Sequence, residues 1–156
     1  MLNNAQLKLP YEKRIQVDTN LKALPQVLAW FEQFNQPPVP YSDWLECQLA
    51  LAEAFTNAVR HAHAHKAPDT PIDIEVIVYS QTIELKVWDY GSGFDLSDLA
   101  KRPIEADYRE HGRGIKIMQR IASELNYQQV EQRNCLQLIK HFSEDPNSAD
   151  QSGSRK

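Results

Sequence analysis

Two polar residues on one helix, and the placing of a few glycines, mark where this chain could do chemistry. Glu53 and Asn57 stand four residues apart inside the otherwise apolar stretch LALAEAFTNAV, so both project from one helix face. Burying a carboxylate or an amide there without partners costs on the order of a few kcal/mol. A solvated edge or a satisfied core pair would resolve the conflict. So would a chemical role. The Asn57 carbonyl oxygen can ligate Mg²⁺, a hard ion that takes oxygen donors, and Glu53, one turn earlier, can take a proton from an attacking hydroxyl. The glycines offer a complementary half. Of the five in the chain, Gly153 lies close to the C-terminal end; the rest form two Gly-x-Gly pairs, Gly91 with Gly93 and Gly112 with Gly114. The second pair opens a helix, where unpaired amides and the helix dipole favour anions such as phosphate. Either pair alone also fits a turn followed by a helix start. Two pairs about 20 residues apart, bracketing a polar loop, are harder to dismiss.

Elements must exist to position these groups. A short strand is expected at residues 14–17. Asp18, Thr19 and Asn20 are N-cap types, and Leu21, Leu24, Val27, Leu28, Phe31 and Phe34 follow at helical spacing. Pro25 fits such a helix only near its first turn. The PPVP run ends it. A second helix, capped by Ser42 or Asp43, runs to about His63. It is rich in alanine and free of Gly and Pro, and is expected to place Leu45, Leu49, Leu51 and Phe55 in and around the core, opposite Glu53 and Asn57. From Ile72 the apolar period becomes two, through Ile74, Val76 and Val78 and then Ile83, Leu85 and Val87. With Ser80-Gln81 between them these runs read as a hairpin with one face on a core. Residues 89–113 read as loop. A third helix buries Ile115, Ile117, Met118, Ile121, Ala122 and Leu125, and residues 127–130 and 135–142 form a last hairpin turning at Gln132-Arg133-Asn134. This order predicts an α+β fold: a two-layer sandwich of a mixed, mainly antiparallel sheet with helices on one face. The expected division is a flexible arm 1–13, a folded domain 14–142 and a disordered polar tail 143–156.

At 156 residues the chain fits one domain. A net charge of −4 gives no attraction to a phosphate backbone, which argues against nucleic-acid binding. No apolar run approaches the ~18 residues of a membrane span, and the N-terminal residues lack a signal-peptide core, so a cytoplasmic location is expected. Cys47 and Cys135, without a CxxC pattern, read as buried reduced thiols. His61 and His65 are spaced to share Zn²⁺, but no third ligand is evident, and helix C-termini favour His through the dipole. Trp30, Trp44 and Trp88 read as core or subunit-contact residues.

Three segments together resemble the N, G1 and G2 boxes of the GHKL ATPase and kinase superfamily, whose α/β sandwich is the Bergerat fold. They are Glu53-x-x-x-Asn57-Ala58-x-x-His61, then Asp89-x-Gly91-x-Gly93-Phe94, then Gly112-x-Gly114-Ile115. Within the superfamily the chain is most similar to the bacterial anti-sigma factor serine kinases. A histidine kinase carries a phosphoacceptor helix ahead of its ATP domain, whereas about 40 residues without a His precede the second helix here. Histidine kinases typically have Asn where this chain has Glu53, and a Glu base suits a poor nucleophile such as a serine hydroxyl. The segment 95–111 is short, like the lid of the serine kinases.

The resemblance implies ATP and Mg²⁺ as cofactors and gives each matching residue a role. Glu53 would be the general base and Asn57 the magnesium ligand. Asp89 would accept from the adenine amino group, while Gly91 and Gly93 let backbone pass close to the nucleotide beside Phe94. Gly112, Arg113, Gly114 and Ile115 would cradle phosphate. Arg60 and His61 border that site, and Lys101, Arg102 and Arg109 are candidate phosphate partners in the lid. It also implies the partners: a sigma factor held inactive, and a STAS-type anti-anti-sigma protein phosphorylated on serine, with a homodimer common among members. Two other readings remain at this stage: an ATP-gated binding module that phosphorylates nothing, and a self-contained ATP hydrolase.

Overall fold

The computed structural model describes residues 7–93 and 110–143. Among them five strands form one sheet: β1 Tyr11–Asp18, β2 Pro71–Val78, β3 Thr82–Asp89, β4 Glu124–Val130 and β5 Arg133–His141. Their order is β1-β2-β3-β5-β4. Every pairing is antiparallel, so the sheet is not mixed among the described residues. The helices are α1 Leu24–Phe31, α2 Tyr41–Asn57 and α3 Glu110–Ile121. Element order and the α+β class are those the sequence predicts.

Strands β2 and β3 alternate buried with half-buried residues along their whole length, as a sheet covered on one side requires. Ile72, Ile74, Val76, Val78, Ile83, Leu85 and Val87 join Phe31, Phe34, Phe55 and Leu51 in the core between sheet and helices. Trp88 lies on the other face, and the Arg133 guanidinium sits 4.4 Å from its ring centroid, a cation–π contact rather than core packing. Trp44, by contrast, is buried and stacks on Phe31 at 5.8 Å. Cys47 and Cys135 are buried free thiols. Burial pushes them up to about 12 and about 11 respectively, which leaves them unreactive near neutral pH.

β1 begins at Tyr11, earlier than residue 14, because the strand pairs with β2 from Tyr11↔Val78 to Asp18↔Pro71. Exposed Glu12 and Lys13 hide this edge strand in the sequence. Tyr11 is fixed at its far end, donating to Gln33 Oε1 at 2.9 Å. The first helical stretch has three parts. Asn20 caps a 3₁₀ turn, Leu21–Ala23, by accepting from the Lys22 amide at 2.9 Å. Pro25 then stands in the first turn of α1, and a second 3₁₀ turn, Glu32–Phe34, closes the run.

Helix α2 departs from expectation at two points. Its N-cap is Pro40, with no side-chain cap bond. Asp43 lies inside the first turn, 1% exposed, and accepts from the Ser143 amide and hydroxyl at 2.8 Å each. Thus residue 143, assigned above to the tail, is tied to α2. The inward face is Cys47, Ala50, Leu51, Ala54 and Phe55, while Leu45 and Leu49 are 41% and 48% exposed. They form a solvent-facing stripe with Tyr41 instead of core. The small inward alanines let α3 pack along α2, with Ile115 and Met118 fully buried. The β4–β5 hairpin turns at Glu131-Gln132, with Glu131 at φ 60°, so Arg133 and Asn134 belong to β5 rather than to the turn.

Candidate functional site

Asn57 ends the regular part of α2, and the chain continues as a π turn, Ala58–Ala62. Such widened turns recur at functional sites because they let successive side chains share one face. Here Glu53, Asn57, Arg60 and His61 line one wall of a cavity of about 390 Å³. Thr56 of α2 joins that wall, and Arg113 and Gly114, from the first turns of α3, form the other. Asn57 is buried, and its Oδ1 has no hydrogen-bond partner among the described residues. A buried acceptor left unmade in a native fold calls for an explanation. A Cβ added at Gly114 would stand 2.8 Å from Glu53 Oε2, so the glycine makes room for the carboxylate.

Asp89 is the last residue of β3 and is 4% exposed. Its Oδ1 accepts from the Gly91 amide at 2.8 Å and from Asn134 Nδ2 at 2.9 Å. Asn134 Nδ2 also donates to the Gly91 carbonyl at 2.7 Å. The loop therefore doubles back on its own carboxylate. Gly91 presses on the π turn: a Cβ there would lie 2.5 Å from the Ala62 carbonyl oxygen. Gly93 has φ +86°, a conformation that L side chains rarely adopt. A second cavity, of about 430 Å³, opens between His61, His65 and Lys66 on one side and Tyr90, Gly91 and Ser92 on the other. His61 borders both cavities. Burial and then the Arg60 charge hold its imidazole below the ordinary range.

Of the residues proposed from sequence, Glu53, Asn57, Arg60, His61, Arg113 and Gly114 meet at one cavity. Asp89, Gly91 and Gly93 form an adjoining cluster. Gly91 meets the second cavity, while Asp89 borders neither. Ile115 is fully buried in the core, so only its backbone can face a ligand. Gly112 lies in the first turn of α3. Phe94, Lys101, Arg102 and Arg109 lie outside the described residues. Among those described, no three His, Cys, Asp or Glu side chains converge to hold a metal. A divalent ion here would depend on Asn57 and on oxygens of its ligand, which suits Mg²⁺.

Sequence reasoning overlooked Asn134, read as a turn residue, and Thr56, whose only signal was its place beside Asn57. It also overlooked His63. His61 and His65 are exposed, and the histidine between them is the buried one, 2% exposed.

Residues 17–140 match the model of the histidine kinase-like ATPase domain family, and the chain belongs to that family. The likeness read from the three boxes is borne out at this level. The anti-sigma F factor of Anoxybacillus flavithermus is 29% identical over 102 residues, 63% of this chain and 69% of that protein. The anti-sigma F factor of Priestia megaterium is 30% identical over 103 residues, again 63% and 69%. The serine-protein kinase RsbW of Bacillus licheniformis is 28% identical over 95 residues, covering 56% of this chain and 59% of the kinase. The matches thus span roughly three-fifths to just over two-thirds of these relatives' lengths. The crystal structure of the RsbU and RsbW domains of a Mycobacterium tuberculosis protein superposes with a TM-score of 0.63 at 17% identity. It covers 86% of this chain and 33% of that one, and shows the shared fold. No helix among the described residues is long and apolar enough to cross a membrane.

Proposed function

We propose that this chain is a cytoplasmic anti-sigma regulator that binds ATP with Mg²⁺ and phosphorylates a serine of a STAS-type anti-anti-sigma protein. One observation carries the reading: Asn57, buried and with no partner for its Oδ1 among the described residues, lines a cavity together with Glu53, Arg113 and Gly114. The names of the relatives, anti-sigma F factor and serine-protein kinase, supply the partner classes.

In this reading Asn57 Oδ1 would hold the ion, which would supply neutralisation of the phosphate charge. The α3 start would receive the phosphates, with Gly112 in its first turn and Arg113 and Gly114 lining the cavity one step further along. Asp89 meets the purine amino group through Oδ2, because both bonds that fix the carboxylate land on Oδ1. Glu53 accepts the proton of the serine hydroxyl as its oxygen bonds the terminal phosphorus and the bond to ADP breaks.

The test is to incubate the purified chain with labelled ATP, Mg²⁺ and candidate STAS proteins and to assay phosphoserine. Glu53→Gln should lower transfer by about 100-fold or more while ATP affinity stays within a few-fold. Undiminished transfer by Glu53→Gln would remove Glu53 as the base. ATP binding by the wild type, with no phosphoserine on any STAS protein, would favour the binding-module alternative.

A further inference from the structure

We infer that His63 is a positioning residue that fixes the Asp89–Gly91 segment to the end of α2, tying both halves of the nucleotide site into one hydrogen-bonded unit. The inference rests on the nucleotide-binding reading of that site.

Two segments bond the ring directly, a third joins through Thr19, and the residue's own backbone closes the π turn. The Tyr90 amide donates to His63 Nε2 at 2.8 Å. Thr19, at the exit of β1, places its Oγ1 2.6 Å from His63 Nδ1 and 2.6 Å from the Thr70 carbonyl. The His63 amide itself closes the π turn on the Ala58 carbonyl at 2.9 Å. Proton counting assigns every role. The Thr70 carbonyl can only accept, so the single hydroxyl proton of Thr19 goes to it. Thr19 Oγ1 must then accept from His63, which places a proton on Nδ1. The Tyr90 amide can only donate, so Nε2 carries no proton. His63 is therefore the neutral Nδ1–H tautomer, with both nitrogens fully used.

Tyr90 lies between Asp89, the carboxylate for the purine, and Gly91, whose amide bonds that carboxylate. Its own amide is the one that faces back toward α2. The Tyr90–His63 bond thus joins the loop directly to the residue that follows the π turn carrying Arg60 and His61, where Gly91 also packs against Ala62. A proton on Nε2 would set two donors against each other and break the same link. Three charged or aromatic groups face the ring. Asp89 favours the charged form and Lys66 opposes it. The Tyr90 ring stacks on it with centroids 6.4 Å apart. Burial outweighs Asp89 and keeps the imidazole below its ordinary range.

The experiment measures the affinity of the full chain for ATP with Mg²⁺ at pH 7.5 and pH 5.5, for the wild type, His63→Leu and His63→Gln. Leu keeps bulk but offers no acceptor. The Gln Oε1 can stand where Nε2 stands and does not titrate. At pH 7.5 His63→Leu should bind about tenfold more weakly, and His63→Gln should recover affinity to within about threefold. Toward pH 5.5 the wild type should lose affinity more steeply than His63→Gln; protonation of the nucleotide is common to both and cancels. Nitrogen-15 spectra of the wild-type imidazoles should contain one neutral Nδ1–H ring. Wild-type ATP binding with parallel pH slopes, or with undiminished affinity in His63→Leu, would overturn the positioning role alone. So would an Nε2–H signature for His63, even if the Leu variant fails to fold. Failure of the wild type to bind ATP at all would instead overturn the nucleotide reading and this inference with it.

Discussion

The two ends of α2 treat buried polar groups in opposite ways. At the N-terminal end Asp43 is enclosed and fully engaged: Ser143 donates twice, and Lys140 Nζ stands 3.6 Å away while bonding Glu46 at 2.8 Å. Burial alone would lower the Lys140 ammonium, but its bond to Glu46 and the charges of Glu46 and Asp43 hold it above its ordinary range. At the C-terminal end Asn57 is also buried, yet its Oδ1 meets no partner among the described residues and the residue lines a cavity. One end spends its polar groups on the fold and the other holds one in reserve. A buried polar residue in a sequence therefore says little until its partners are known; the unsatisfied atom, not the burial, points to a ligand.

Paired substitutions break this comparison most directly. Asn57→Ala should weaken Mg²⁺-dependent ATP binding on the order of 100-fold, yet leave the urea midpoint nearly unchanged, since no internal bond to Oδ1 is lost. Asp43→Ala should do the reverse. Removing one member of a buried ion pair costs about 3 kcal/mol, and ATP affinity should hold. Calorimetric titration and urea unfolding on both variants check the crossover. Equal losses of stability at the two sites would erase the distinction.

The glycines sharpen the same contrast at smaller scale. Gly91→Ala drives a Cβ to 2.5 Å from the Ala62 carbonyl, a backbone atom that cannot swing aside. Overpacking of this kind costs about 1–3 kcal/mol, and nucleotide affinity should fall with it. Gly114→Ala meets only Glu53 Oε2 at 2.8 Å, the mobile end of a side chain. Its unfolding free energy should change by less than about 1 kcal/mol, while phosphotransfer drops because the carboxylate is pushed from its place. A Gly114→Ala variant with full transfer would separate the position of Glu53 from catalysis.

How much of this was legible follows from where each pattern gets its meaning. The alternation from Ile72 to Val87 reads as strand because one covered face is enough to produce it. The boxes around Glu53, Asp89 and Gly114 were legible because residue types at fixed spacing imply a site. Leu45 and Leu49 misled, since apolar periodicity on an alanine-rich helix does not say which face finds α3. Asp43 matched an N-cap type, but its partner, Ser143, is 100 residues away. His63 was hidden for a third reason: the π turn, for which the local residues carry no signal, turns it inward between two exposed histidines.

That hidden histidine gives the smallest effect and a definite sign. The ordinary imidazole titrates near 6.5, and burial lowers the folded value for His63 despite Asp89. Below 6.5 the unfolded chain takes up a proton that the folded chain refuses, so the unfolded state binds more protons and stability falls as pH drops. Its contribution is complete above pH 6.5 and is lost progressively toward the lower folded value. His61 is shifted the same way, by burial and Arg60, and adds to the slope. Urea midpoints between pH 7.5 and pH 5.5 should therefore decline in the wild type. In His63→Gln, which keeps an acceptor for Tyr90 but cannot titrate, the decline should be shallower, with the His61 share remaining. An identical slope in the two proteins would mean that the folded imidazole takes up its proton as readily as the unfolded one, against the single-tautomer network around Thr19 and Tyr90.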